Sequence, residues 1–417
     1  MPADLASKTA PPAPARGSAV RRELARIAGP VLWPSAASMR VIALAGVVAT
    51  AGSIATGAAV RLSQSGLGCP DWPECTRRSL VAASSRGDSL THAWVEFGNR
   101  LFVTLVLITA VVVLIATWRF AHGARRPQGA AATAGAPSPG RALRREPGAP
   151  RGAVVRPGRG AQRPAAPRPD RGEPPQRADG RQPEPPRGAA RPSSRGLIWL
   201  AAVQPAGVAL QAVLGGIVVL TKLDPVTVSI HFLASIVVLG AAVALHARFA
   251  DPPWPPGVTA RSDLRWLSAA LVAVTGLMLA AGTVVTGTGP LAGAASVPRY
   301  HLPLAGATQF HADIGWLLGG LTVATLIALR AARPPAGAVR RGWVLLGLIL
   351  TQGIIGYSQY FSGLPAGLVW VHVLGATLIW ITALRLFFLL WPGLLRPTQP
   401  AEVSRAEPVA PPAAAKG

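Results

Sequence analysis

Eight apolar runs constrain this chain more than any other feature of its sequence. They fall at roughly 41–60, 96–118, 197–220, 226–248, 266–287, 310–331, 342–361 and 367–391. A helix of about 20 apolar residues spans the ~30 Å hydrocarbon core of a bilayer, where only helices and closed barrels satisfy their own backbones. A soluble bundle can bury one or two such helices, but eight leave too little amphipathic surface to cover them. Charged residues make up 14% of the chain, against about a quarter in soluble proteins. The first run follows a polar leader and lacks a small-residue cleavage site, so it reads as a span and not as a signal peptide. The expectation is an all-α integral membrane protein with eight transmembrane helices.

The charge is nonetheless strongly basic, with 41 Lys+Arg against 17 Asp+Glu and a net +24. Half of it has one address. Residues 119–196 hold 17 arginines against five acids, Glu146, Asp170, Glu173, Asp179 and Glu184. This Arg, Pro, Gly and Ala segment has no periodicity and cannot bury enough surface to offset its ordering entropy. It is therefore expected to be a disordered cytoplasmic insertion. Residues 1–37 and 392–417 read as shorter disordered tails. The basic run has no interleaved aromatics for base stacking, which argues against nucleic acid; whether it recruits a partner protein, binds anionic lipid headgroups through its arginines or is neutral expansion stays open.

Basic residues in the short loops set the orientation. Arg248, Arg261 and Arg265 follow the fourth run, and Arg330, Arg333, Arg340 and Arg341 follow the sixth. The loops after runs three, five and seven carry only Lys222, Arg299 and no basic residue. The positive-inside bias puts both termini in the cytoplasm, with Arg61, Arg77, Arg78 and Arg86 after the first run as a weak exception in a longer loop.

The two halves of the chain repeat each other. QAVLGGIVVLTKLDPVTVSIHFLAS (211–235) aligns without a gap on QGIIGYSQYFSGLPAGLVWVHVLGA (352–376). Gln211 pairs with Gln352, Gly215 with Gly356, Leu223 with Leu364 and His231 with His372, each 141 residues apart. The chain therefore reads as two pseudo-symmetric four-helix bundles, 38–118 with 197–250, and 262–391, related by an axis along the membrane normal.

Ionisable residues inside a membrane are costly, so each suggests function. His122 and His246 lie at cytoplasmic span ends and His301 in an outer loop, where no special role is needed. His231, His311 and His372 each fall near the start of an even-numbered span and share one depth. Two imidazoles on facing helices of a bundle, here His311 and His372, can ligate one haem iron from both sides. The first half offers His231, Glu96, Asn99 and Arg100. Arg100 can pair with Glu96 or take a haem propionate. That inequality suggests one stable cofactor site and one reactive site. Cys69 and Cys75 lie in GLGCPDWPEC in the first outer loop. A disulfide is expected there, bracing or redox-active, with free thiols the remaining alternative.

AAVRLSQSGLGCPDWPEC followed by VEFGNR, QAVLGGIVVLTKLDP with a downstream His231, GTVVTGTGP, FHADIG, and QGIIGYSQYFSGLP with His372 together resemble the heme A synthase family. The resemblance runs from about residue 41 to 390 without the insertion. It implies a protein of the cytoplasmic membrane that oxidises a ring methyl of haem O to a formyl group, making haem A for the terminal oxidase. It implies haem b held by His311 and His372, haem O near Glu96 with His231 at its iron, and Glu96 as the carboxylate needed for activity. Haem O synthase is the implied partner, and a homo-oligomer stays open. Two departures stand out. Asn99 replaces a histidine that many members carry three residues after the glutamate, and His92 would reach in only if its helix started earlier. Leu291 and Ala294 follow GTVVTGTGP where the family commonly has His and Asp. A bis-His electron-transfer cytochrome would instead have equal ligand sets in both halves, and a transporter would have helices broken at the midplane.

Overall fold

A computed structural model describes residues 28–82, 90–123, 194–251, 260–332, 334–335 and 337–395. Eight long helices account for most of them: α1 Ala36–Leu62, α2 Leu90–Ala121, α3 Ser194–Leu220, α4 Pro225–Ala250, α5 Ser262–Thr288, α6 Leu304–Ala331, α7 Ala338–Phe361 and α8 Ala366–Leu390. All eight are long and apolar enough to cross a membrane. The expected disordered insertion lies outside the described residues between 124 and 193. Its first and last residues, 119–121 and 194–196, continue α2 and α3. Most of the two tails lies outside as well. The start of α2 at Leu90, rather than near 96, is a correction with a simple cause. The helix runs on past the hydrocarbon edge, where polar residues such as Thr91 and His92 carry no penalty and break the apolar pattern.

Helices α1 to α4 close a ring of neighbours, α1–α2–α3–α4–α1, and α5 to α8 close a second ring in the same order. The halves meet along α4–α8, α1–α8 and α4–α5. Their shared core contains Val47 and Ile54 of α1, Leu239 and Val243 of α4, and Trp380 and Leu384 of α8. Between helices in lipid there is little hydrophobic drive, so close packing and interhelical hydrogen bonds matter more. Two indoles supply such bonds across the interface. Trp380 Nε1–H donates to Ile236 O at 2.9 Å, and Trp370 Nε1–H donates to Ala55 O at 3.0 Å.

The repeat extends to the backbone. Lys222 and Leu223 between α3 and α4 have φ of 56° and 59°, and Gly363 and Leu364 between α7 and α8 have 81° and 60°. Leu223 N–H donates to Val218 O at 2.8 Å, and Leu364 N–H donates to Gln359 O at 2.7 Å. The two turns share one conformation 141 residues apart. In α4, Asp224 caps the start by accepting from Val226 N–H at 3.0 Å, with Pro225 at the first helical position.

At the opposite end of the interface, Asp251 at the end of α4 joins both halves. It forms ion pairs with Arg341 of α7 and with Arg385 of α8, the latter at 2.7 Å. Arg385 Nη1 also meets His246 Nδ1 at 2.8 Å, and Arg341 Nη1 donates to Arg385 O at 2.8 Å. All three charged side chains are less than a fifth exposed. Asp251→Ala would leave two guanidinium groups facing each other in a poorly hydrated site. Removing one member of such a buried pair costs about 3 kcal/mol. A marked drop in melting temperature in detergent is expected, and an unchanged one would show that the cluster does not hold the halves together.

Candidate functional site

Four polar side chains stand within the first eight residues of even-numbered helices. Glu96 and His231 are the seventh residues of α2 and α4, His311 is the eighth of α6 and His372 the seventh of α8. At about 1.5 Å per residue this is roughly 10 Å from each helix start. The even-numbered helices all begin on one side of the bundle, because the chain crosses back between them.

In the second half, His311 and His372 face each other with ring centroids 6.3 Å apart and planes inclined by 60°. Each ring lies against a glycine of the preceding helix. A Cβ on Gly282 of α5 would stand 3.2 Å from His311 Cε1, and one on Gly356 of α7 would stand 3.3 Å from His372 Cε1. Nδ1 of both rings is buried; His311 lies within bonding reach of the Met278 carbonyl of α5, and His372 Nδ1 has no hydrogen-bond partner among the described residues.

The first half is built differently. Glu96 is 5% exposed, and both of its oxygens are engaged. Cys69 N–H donates to Oε2 at 2.8 Å, and Arg100 Nη2 stands 2.6 Å from Oε1. Arg100 also donates to Cys69 O at 3.0 Å, Asp71 O at 3.2 Å and Glu74 O at 3.0 Å. Its guanidinium is thus spent on the carboxylate and on the Cys loop. Cys69 and Cys75 are joined in a disulfide, and both are fully buried. The loop folds over the site. The Trp72 ring lies on α3 so closely that a Cβ on Gly216 would come within 2.6 Å of it, and Gly68 presses on the His92 carbonyl of α2. The helix does start early enough to include His92, whose backbone carbonyl seats Gly68. Asn99 accepts a hydrogen bond from Thr56 of α1 at 2.7 Å. His231 packs on Gly215, whose Cβ would lie 3.4 Å from Cε1 and 3.9 Å from Nε2.

The family described as "Cytochrome oxidase assembly protein" (COX15-CtaA) matches residues 40–136 and 188–384, well over half of the chain. The chain belongs to that family. It is a multi-pass membrane protein. A heme A synthase of Geobacillus thermodenitrificans is 32% identical over 65 residues, 16% of this chain and 19% of that protein, so the match spans about a fifth of that relative.

The geometry adds residues that sequence reasoning missed. Thr56 and the carbonyls of the Cys loop gave no signal, since their partners are 26–43 residues away along the chain. Gln211 did give one, through its alignment with Gln352, but its contact with His231 depends on packing.

Proposed function

We propose that this protein oxidises a ring methyl of haem O to a formyl group, supplying haem A to a terminal cytochrome oxidase. The observation that carries the reading is the inequality of two halves sharing one backbone. One half sets two histidines face to face, and the other has a single histidine and a buried, loop-held glutamate, each the seventh residue of its helix. Membership of a cytochrome oxidase assembly family and similarity to a heme A synthase support it.

His311 and His372 fit haem b. Their rings face each other 6.3 Å apart from two helices of one bundle, an arrangement in which two imidazoles would hold a haem iron. Bound there, the haem supplies one-electron transfer.

The substrate haem belongs to the first half, near Glu96 and His231. The Cys loop packs on α2 and α3 beside this site, with Glu96 accepting from Cys69 N–H and Trp72 seated on Gly216. Glu96 is the catalytic carboxylate. Two donors fix its oxygens, so it is a placed group and not a mobile one. Such a carboxylate can hold the proton that moves when the doubly hydroxylated methyl loses water and becomes the aldehyde. Arg100 acts as a positioning residue for Glu96 and the loop. The protein resides in the cytoplasmic membrane with both termini inside and the site near the outer surface. A haem O synthase delivers the substrate.

Extracting the haems tests this. The chain is expressed with a haem O synthase in cells lacking their own enzyme for the next step. Haem A is expected in the extract; haem O alone, from a folded and haem-loaded protein, would refute the reading.

A further inference from the structure

The contact between Gln211 of α3 and His231 of α4 decides which imidazole nitrogen carries the proton. One end of the Gln211 amide lies 2.7 Å from Ser235 N, and the other lies 3.2 Å from His231 O. A backbone N–H only donates and a carbonyl only accepts. The amide oxygen therefore faces Ser235, and the amide nitrogen faces His231. That nitrogen then donates to His231 Nδ1 at 2.8 Å. A neutral imidazole that accepts at one nitrogen carries its proton on the other.

We propose that Gln211 is a positioning residue that holds His231 as the Nε2–H tautomer, so that His231 meets the substrate with a hydrogen-bond donor and not with an iron-binding lone pair. The inference rests on the placement of the substrate haem in the first half. It replaces the sequence expectation of His231 as an iron ligand. Metal-bound histidines show the reverse arrangement, in which the second ring nitrogen donates to an acceptor. An imidazole that donates at Nε2 can instead hold a hydroxyl or carbonyl oxygen on the reacting substrate.

The second half shows what removes this lock. Gln352 occupies the position of Gln211 and His372 that of His231, yet Gln352 Oε1 and His372 Nδ1 both lack a hydrogen-bond partner among the described residues. The Gln352 amide lies instead against the backbone of Gly375, in space that a Cβ there would fill. The residue matching Gly375 in the first half is Ala234, and the residue matching Ser235 is Ala376. Glycine in one repeat and alanine in the other thus accompany an unpinned His372 and a pinned His231.

The tautomer can be read directly from the full chain in lipid bilayers. The protein is labelled with [15N]histidine and its solid-state 15N spectrum recorded, with His231 assigned by difference from His231→Asn. The expected spectrum has Nδ1 of His231 at the position of an unprotonated nitrogen and Nε2 at that of a protonated one. Gln211→Glu replaces the donor with a carboxylate that accepts from Nδ1–H, so the two signals should exchange positions. A protonated Nδ1 in the parent protein, or a Gln211→Glu spectrum identical to it, would overturn the proposal. Should Gln211→Glu fail to fold, the parent spectrum alone decides. Absence of haem A in the extraction experiment would refute the proposed reaction while leaving this measurement intact, so the two failures are distinguishable.

Discussion

Replacing His372 with alanine is expected to abolish the low-spin haem spectrum of the purified protein, and replacing His311 is expected to do the same. The two rings face each other across 6.3 Å, and each comes from a different helix of the second bundle. Loss of either leaves one axial ligand, which cannot sustain the strong-field, six-coordinate state that two imidazoles impose. The effect should be confined to that half. His231→Ala should retain the low-spin signal, because His231 belongs to the other ring of helices. Haem A should disappear from the extracts of the His311 and His372 variants, since both electron transfer and haem retention depend on the pair. An optical spectrum unchanged in either variant would remove that histidine from the ligand set.

Glu96→Gln is expected to keep the haem of the second half and to lose product by about 100-fold or more, the usual range for removing a placed acid or base. Glutamine preserves shape and can still accept from Cys69 N–H, so the loop keeps one of its anchors. The charge facing Arg100 is lost, but Arg100 retains its bonds to Cys69 O, Asp71 O and Glu74 O. The substitution therefore separates the chemistry of the carboxylate from its bracing role. A variant with normal haem A content would take Glu96 out of the reaction and leave it a purely structural anchor for the loop.

Much of the site was legible before any fold was known. His231, His311 and His372 stood out because each is an ionisable residue near the start of an even-numbered span, and the 141-residue repeat tied two of them together. Glu96 stood out for the same reason. Arg100 was visible as a partner four residues from Glu96 on one helix face, but its bonds to the Cys loop were not. They depend on how residues 69–74 fold back onto α2. The cluster of Asp251, Arg341 and Arg385 was hidden differently. In the sequence Arg341 serves only as a topology signal, Arg385 lies within the last apolar run, and nothing marks either as a partner of one aspartate 90 and 134 residues away.

The sequence by itself determined the number of helices, their membrane-spanning character, the repeat and the depth of the polar groups. Each of these is a local demand of the bilayer. Every span must satisfy its own backbone and present apolar side chains over about 20 residues, whatever its neighbours do. The tertiary structure decided how the polar atoms are partnered. Gln211 and Gln352 are the same residue in the same place in each repeat, yet one reaches His231 and the other lies on Gly375. Partner choice in a poorly hydrated interior depends on which rotamer the surrounding packing leaves open. A single methyl group, present at Ala234 and absent at Gly375, lies beyond what the pattern of either segment alone can resolve.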